Sequence, residues 1–381
     1  MVTIRPGSHV HKLLTILSYV GEFPMSSIHL LGSENTWRKL ISKLTLRQEF
    51  RFPDCDERIC CRMLSISGRG KLRTVRLNKA ALPILERAIP LGYSYYNQTY
   101  ARYNLSSLEQ QVERNHRISE SVAMCIAAGI ESCPYELPQL RKYAIQKVVP
   151  DTPSFYLSRE LKSIEQDDIE KTMFSRITGA IFYECGVYAV YNTRDAVKSW
   201  HGRGETKFKA SLETITSINM RSMHKPTAIL FGSGYELVDS AIQSFKGIRK
   251  VEIAFDSVYS RIHFIPLNQF GARVLRILTV PDWYEKIMDL IFSPEDRSYN
   301  RGSFDYDAIE NGVHALSFLD GDIIRLNRFH EAIDKNGYQA RVLCYPEQAS
   351  FLQKYLGKCV TINTINIDSV EEALLLEMEE L

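Results

Sequence analysis

The segment Asn35–Leu44 constrains this chain more than any other stretch. Read at helical spacing, Leu40, Ile41 and Leu44 share one face with Trp37 at its border, while Arg38, Lys39, Ser42 and Lys43 point away from it. So narrow an apolar stripe can hold a helix to its own domain without burying it. The opposite face is left with cations, hydroxyls and an amide. A short helix from Ser26 precedes it, Gly32 supplies the tight turn between them, and Ser33 or Asn35 can cap the second helix. Downstream, the strand-like runs Arg58–Ile66 and Leu72–Leu77 flank Ser67-Gly68-Arg69-Gly70-Lys71, where glycines can take positive φ and cations can reach a neighbouring backbone.

Helix, turn, helix and basic hairpin, in that order, predict a winged helix-turn-helix. Its second helix would lie in a DNA major groove, bringing Asn35, Thr36, Trp37, Arg38, Lys39, Ser42 and Lys43 to base edges and phosphates. Arg69, Lys71 and Arg73 would grip the backbone or enter the minor groove. The plainer alternative is a solvated cationic surface, which any one of these residues alone would satisfy.

Charge distribution favours the set over that alternative. The net charge is only +2, yet residues 1–90 hold 15 Lys and Arg against 7 Asp and Glu, while the rest hold 32 against 38. Positive charge is therefore concentrated where a polyanion would be met. At 381 residues the chain exceeds what one core usually serves, so about two or three domains are expected. No apolar run approaches the roughly 18 residues of a membrane span, and Met1–Pro6 does not open a signal peptide. A cytoplasmic protein without a membrane partner is the expectation. The eight cysteines are scattered, Cys60 and Cys61 being adjacent, and none has paired zinc spacing, so they read as thiols of a reducing compartment.

In chain order, His9–Tyr19 has helical spacing and Gly21 ends it. His9-Val10-His11 matches in letters the His-hydrophobic-His pattern of rolling-circle nucleases, but that chemistry needs a strand. On a helix, residues two apart point in nearly perpendicular directions. Lys79–Glu86 predicts a helix in which Pro83 must fall in the first turn. Leu91–Tyr103 is dense in tyrosine and is expected to connect domains; its rings, with Arg102, could alternatively stack on bases. Ser107–Ile130 predicts a long helix, capped at Ser106 or Ser107, with Leu108, Val112, Val122, Ala123, Ile126 and Ala127 inward. Its polar patch Arg114–Arg117 includes His116, read as structural rather than catalytic.

Beyond Arg141 short β-rich runs alternate with helices. The runs are Ala144–Val149, Ser154–Leu157, a hairpin of Thr178–Glu184 and Val187–Tyr191, Ala228–Phe231, Val274–Leu278, Ala315–Phe318, Ala340–Cys344 and Val360–Ile367. The helices are Tyr235–Phe245, Asp282–Phe292, Asp322–Ile333 and Gln348–Tyr355. Such alternation argues for an α/β domain with a helix-covered sheet. The acidic, leucine-rich Ser369–Leu381 is either a closing helix or a docking one. The expected organisation is a DNA-binding domain over 1–90, a connector over 91–106 and an α/β domain over 107–381, itself divisible near 295–312.

Catalytic alternatives are fewer. Pro150-Asp151 followed by Glu160-Leu161-Lys162 has the form of a PD-(D/E)xK nuclease motif: Asp151 and Glu160 would hold Mg²⁺ at a phosphate while Lys162 orients the attacking water. Against it, the gap is short for strand-turn-strand geometry, and the segment runs into Glu165-Gln166-Asp167-Asp168, which suits an exposed helix. Gly232-Ser233-Gly234 lacks the Lys-Ser/Thr of a P-loop, and Val238 stands where a third small residue belongs, so it is most economically a tight βα turn. Gly202–Lys209 is a basic loop, equally suited to DNA backbone and to plain surface. Asp320-Gly321-Asp322 suits the N-cap of the next helix. No cofactor is expected outside the Mg²⁺ of the nuclease alternative.

The combination resembles the replication-relaxation family of plasmids and integrative mobile elements. The residues carrying the likeness are the hairpin Gly68–Leu77, the helix Arg114–Glu120, Phe155–Lys162 and Gly186–Asn192. The resemblance implies an N-terminal winged helix followed by a restriction-endonuclease-like domain, and a role in replication, transfer or control of mobile-element DNA. Where a nuclease of that fold would carry acidic metal ligands, this chain has Gly179, Tyr188 and Tyr191, which suggests a degenerate fold kept for binding. The leading expectation is thus a sequence-specific double-stranded DNA-binding protein without catalysis of its own, with homodimerisation left open. Its rivals are the Mg²⁺-dependent nuclease and a docking subunit that meets other replication or transfer proteins.

Overall fold

The computed structural model describes residues 1–53, 55–100, 105–130, 152–162, 177–196, 203–218, 225–245, 258–298 and 304–379. The protein is mixed α/β with several small sheets. It divides into two compact units, the first spanning Met1–Ala127 and the second the described residues from Ala128 onward.

The first unit runs β1 (Val2–Thr3), α1 (His9–Val20), β2 (Glu22–Pro24), a 3-10 segment Met25–Leu31 and α2 (Glu34–Leu44). Then come β3 (Gln48–Phe52), β4 (Cys55–Cys61), β5 (Leu64–Ser67), β6 (Thr74–Leu77), α3 (Leu82–Ala88), α4 (Pro90–Thr99) and α5 (Glu109–Ala127). Ser8 caps α1 by accepting from the His11 amide, so His9 and His11 do open a helix. Pro83 falls in the first turn of α3, where its missing N–H costs nothing.

Two three-stranded sheets form here, β1-β3-β4 and β2-β6-β5. The expected strand Arg58–Ile66 is therefore two strands in different sheets. The break lies at Met63, whose side chain is buried, whose amide donates to Leu44 O and whose carbonyl accepts from the Asn78 amide. Those bonds replace a ladder, so β4 returns to β3 while β5 starts a new hairpin with β6. Gly68 and Gly70 turn that hairpin with φ of 75° and 54°, and a Cβ at Gly68 would strike the Leu72 carbonyl.

The tyrosine-rich stretch is not a connector over its described length. Pro90–Thr99 is helix α4, packed on α1 and α3, with Tyr95 and Tyr96 buried; Tyr103 and Arg102 lie outside the described residues. Tyrosine there supplies amphipathic wedges within a core. Helix α5 likewise belongs to the first unit, so the boundary expected near residue 90 moves to about 127. Val112, Val122 and Ala123 are buried as expected, but Leu108 precedes the helix and is exposed, and polar His116, Ser119, Glu120 and Ser121 take inward places.

The second unit opens with β7 (Ser154–Leu157), α6 (Ser158–Lys162), β8 (Ile177–Tyr183), β9 (Gly186–Arg194), α7 (Arg203–Ile218), β10 (Thr227–Gly232), α8 (Glu236–Phe245) and β11 (Ile262–Pro266). These strands form one sheet, ordered β11-β10-β9-β8-β7; β7, β8 and β9 are antiparallel neighbours, and β9, β10 and β11 run parallel. Near-continuous apolar runs in β8 to β11 explain burial on both faces. Next are α9 (Gln269–Leu278), α10 (Trp283–Ile291), β12 (Ala308–Glu310), β13 (Val313–Ser317), α11 (Ile323–Asn336), β14 (Ala340–Cys344), α12 (Pro346–Leu356), β15 (Val360–Thr364) and α13 (Ile367–Glu379). The strands from β12 form a second sheet in chain order, parallel from β13 onward.

Val274–Leu278 is thus the end of a helix rather than a strand. The Asn268 side chain accepts from the Gly271 amide and starts α9, and the exposed Arg276 breaks what looked like a continuous apolar run. The expected run Ala144–Val149 lies outside the described residues. Helix α13 closes the unit: Val370 and Leu374 are buried, and Arg273 of α9 pairs with Asp368 and Glu371. Among the described residues no helix is long and apolar enough to cross a membrane.

Candidate nucleic-acid interface

Helix α2 is set by its own pattern. Trp37, Ile41 and Leu44, at i, i+4 and i+7, are buried, and Glu34 in the first turn and Lys43 in the last suit the helix dipole. The stripe is rotated from the one expected: Trp37 is its centre and Leu40 its half-buried margin. Trp37 is only 2% exposed, its indole N–H donates to Leu31 O at 2.9 Å, and His9 packs edge-on to its ring at 5.0 Å. It anchors the helix and leaves the set of DNA-contact candidates. A buried indole supplies a large apolar area to a narrow stripe while its N–H finds a partner in Leu31 O.

The other candidates on α2 reach solvent. Asn35, Thr36, Arg38, Lys39, Ser42 and Lys43 are all exposed. Ser33 occupies the N-cap position without a side-chain bond to the helix backbone, and instead accepts from the Thr36 hydroxyl at 3.2 Å. Arg38 is partly committed: its Nε donates to Glu34 at 2.6 Å, although both side chains stay about half exposed. Arg69, Lys71 and Arg73 are exposed around the tip of the β5–β6 hairpin, which includes a 3-10 turn, Gly70–Leu72.

One residue joins these two elements. The Met25 amide donates to Arg73 O at 2.9 Å, and Met25 O accepts from Arg38 Nη2 at 3.5 Å. The turn end of the hairpin, where Arg73 leads into β6, and the outer face of α2 therefore meet at the same point on the unit. Comparison with protein-family models, with curated proteins and with solved structures finds no match.

A buried polar seam behind the interface was not anticipated. Glu22 of β2 is fully buried; one carboxylate oxygen accepts from Arg76 Nε at 2.8 Å and the other from Asn115 Nδ2 at 2.9 Å. The Ser119 hydroxyl donates to Glu22 O at 2.7 Å, and the Ser27 hydroxyl donates to the buried Glu120 carboxylate at 2.6 Å. Helix α5 thus grips β2 and the 3-10 segment that lead into α2. The available signal was a lone glutamate inside the apolar run Tyr19–Met25, and polar residues at helical spacing over Asn115–Glu120.

Of the three nuclease candidates, only the Glu160 side chain is described. Asp151 and the side chain of Lys162 lie outside the described residues. Glu160 lies in α6, mostly buried, with Arg159 Nε 4.0 Å from its carboxylate. At the β8–β9 hairpin, Gly179 sits where a Cβ would strike Tyr156 O, Tyr188 donates to Leu278 O at 2.7 Å, and the hydroxyls of Tyr191 and Tyr259 lie 2.8 Å apart. Those positions are occupied by packing. Among the described residues no group of three or more His, Cys, Asp or Glu is arranged to hold a metal ion.

The remaining motifs resolve locally. The Glu236 carboxylate lies over Gly234, so the Gly232–Gly234 turn presents negative charge where a phosphate would need the reverse. Asp322 caps α11, accepting from the Ile324 and Arg325 amides at 3.1 and 3.3 Å. His116 is fully buried within the first unit.

Proposed function

We propose that the first unit is a winged helix-turn-helix that binds duplex DNA sequence-specifically, with α2 in the major groove and the β5–β6 hairpin as the wing. The observation that carries the reading is the junction at Met25, which sets the outer face of α2 beside the turn end of the cationic hairpin. Element order supports it as well: α1, β2, the 3-10 segment, α2 and a β5–β6 hairpin whose second strand pairs with β2. The β3–β4 hairpin is then an insertion. Asn35, Arg38, Lys39 and Ser42 would reach bases, while Lys43, Arg69, Lys71 and Arg73 would meet phosphates. The resemblance to replication-relaxation proteins supports a role in replication, transfer or control of mobile-element DNA. The second unit would then be a restriction-endonuclease-like domain kept for binding.

The test is fluorescence anisotropy on duplexes selected from a random pool. Replacing Arg69, Lys71 and Arg73 together by alanine should reduce the slope of log affinity against log salt by about 0.9 for each phosphate no longer neutralised. Asn35→Ala should cost about 1–3 kcal/mol on the selected site and much less on random DNA. Affinity that ignores both changes would sink the reading. Mg²⁺-dependent plasmid nicking abolished by Glu160→Ala would replace it with the nuclease. Binding lost only on deleting Ser369–Leu381 would replace it with a docking role.

A further inference from the structure

The second unit contains a cavity of about 400 Å³ that neither the DNA-binding face nor the nuclease motif uses. It opens along the sheet edge where β9, β10 and β11 begin, beside the β8–β9 turn and the start of α10. Its size falls within the range of small-molecule sites, roughly 300–1,000 Å³.

The chemistry of its lining is segregated. The sheet edge supplies cations: Lys225 just precedes β10 and Arg261 just precedes β11, and the two strands are in register, with the Ala228 amide donating to Arg261 O at 3.1 Å. Lys225 is exposed and makes no ion pair among the described residues. Arg261 is oriented, its guanidinium lying 4.8 Å over the Tyr284 ring and 4.0 Å from the buried Asp322. The helix side supplies carboxylate: Asp282, exposed, is held in the left-handed region at φ 52°, a conformation non-glycine residues adopt at a cost, with the Cys185 thiol 3.7 Å from its oxygen.

Between these charges stands an aromatic wall. Tyr183 and Tyr188 stack at 5.0 Å with planes 7° apart, and the Trp283 indole donates to the Tyr188 hydroxyl at 3.2 Å. His263 completes the floor, its Nδ1 donating to Asp320 O at 3.0 Å. Burial, ahead of its acidic neighbours, pushes the Cys185 thiol above its usual range, so the cavity offers binding groups rather than an activated nucleophile.

We propose that this cavity binds a single nucleotide: the phosphate between Lys225 and Arg261, the base against the Tyr183–Tyr188–Trp283 wall, and an amino edge of the base on Asp282. Two cations on one edge suit a phosphate dianion, and a guanidinium fork suits its oxygens. Flat rings suit a base of any sequence, and a carboxylate accepts from exocyclic amines. The nucleotide is either free or the end of a single strand, since both offer the same groups. This site is independent of the winged-helix reading.

Isothermal titration of the full-length chain with dAMP, dCMP, dGMP and dTMP, and separately with a 5′-phosphorylated tetranucleotide, tests it. Binding of the mononucleotides is expected, weakened about tenfold or more by Lys225→Gln. Asp282→Asn should change the order of preference among the bases. Lys225 is exposed, so its variant keeps the fold, which a thermal melt checks. Binding by mononucleotides alone identifies a free ligand, and comparable binding by the tetranucleotide identifies a strand end; either supports the site. Absence of nucleotide binding, binding unchanged in both variants, or uptake of zwitterionic tryptophan in preference to nucleotides overturns it. Lys39→Ala should leave nucleotide binding untouched, separating failure here from failure of the DNA-binding face.

Discussion

In the first unit the buried carboxylate of Glu22 has a donor on each oxygen, one from Arg76 and one from Asn115, and the buried Glu120 accepts from Ser27. The second unit buries Asp307, Asp320, Asp322, His263 and Arg325 around α11, and the outcome is different. Asp307 is well served, by Arg325, by the Tyr284 hydroxyl at 2.5 Å and by the Ser317 amide at 2.7 Å. Yet one oxygen of Asp320, one of Asp322 and two nitrogens of Arg325 have no hydrogen-bond partner among the described residues. Satisfied networks fix a geometry, whereas partly satisfied ones store a cost. The difference separates a unit that must hold α2 at a set angle from one in which charge is left in tension beside a cavity.

The largest expected effect tests the satisfied side. Glu22→Ala would leave Arg76 and Asn115 facing a buried gap, and unfolding of the first unit in urea should show a loss of about 3–5 kcal/mol. A loss under about 1 kcal/mol would mean that the seam does not fix the approach to α2. Ser27→Ala should be smaller, about 1.5–3 kcal/mol, because it removes one donor from a carboxylate and leaves the fold's apolar contacts alone. Both variants should weaken DNA binding at temperatures where the fold persists. If they do not, the seam serves stability only.

Much of the element order was legible, because α1, α2, the β8–β9 hairpin and the β13-to-β15 stretch announce themselves by period and caps. What failed did so for identifiable reasons. Met63 is apolar and looks like the interior of a strand; only the bonds of its backbone to Leu44 and Asn78 show that two sheets divide there. Tyr95 and Tyr96 carry polar tips and sit among glycine and asparagine, so nothing local distinguished a helix core from a linker. Trp37 reads as the border of the α2 stripe because Leu40 competes for its centre, and the indole wins by burying more surface. The candidate interface was readable as a charge pattern along the chain. The seam behind it, pairing Glu22 with Asn115 and Ser27 with Glu120, joins residues more than ninety positions apart and has no local signature.

The smallest effect is the most informative about the unsatisfied side. Burial, then the neighbouring Asp320 carboxylate, raises the pKa of Asp322 above 3.8, although His263, Arg261 and Arg325 pull it down. A carboxyl whose folded pKa is raised keeps its proton longer in the folded state, so between its unfolded and folded pKa values the native form binds more protons. Stability from this group is then complete below the unfolded value and is lost as pH rises through the folded one, by about 1.4 kcal/mol for each tenfold difference in proton affinity between the two states. Asp322→Asn keeps the cap on the Ile324 and Arg325 amides, since asparagine caps as well as aspartate, and removes the titration. Unfolding free energies of the second unit measured between pH 4 and 7 should therefore fall with pH more steeply in the natural protein than in the variant. The opposite slope would mean that Arg261 and Arg325 hold Asp322 ionised, and the two networks would then be equally well compensated despite their different bonding.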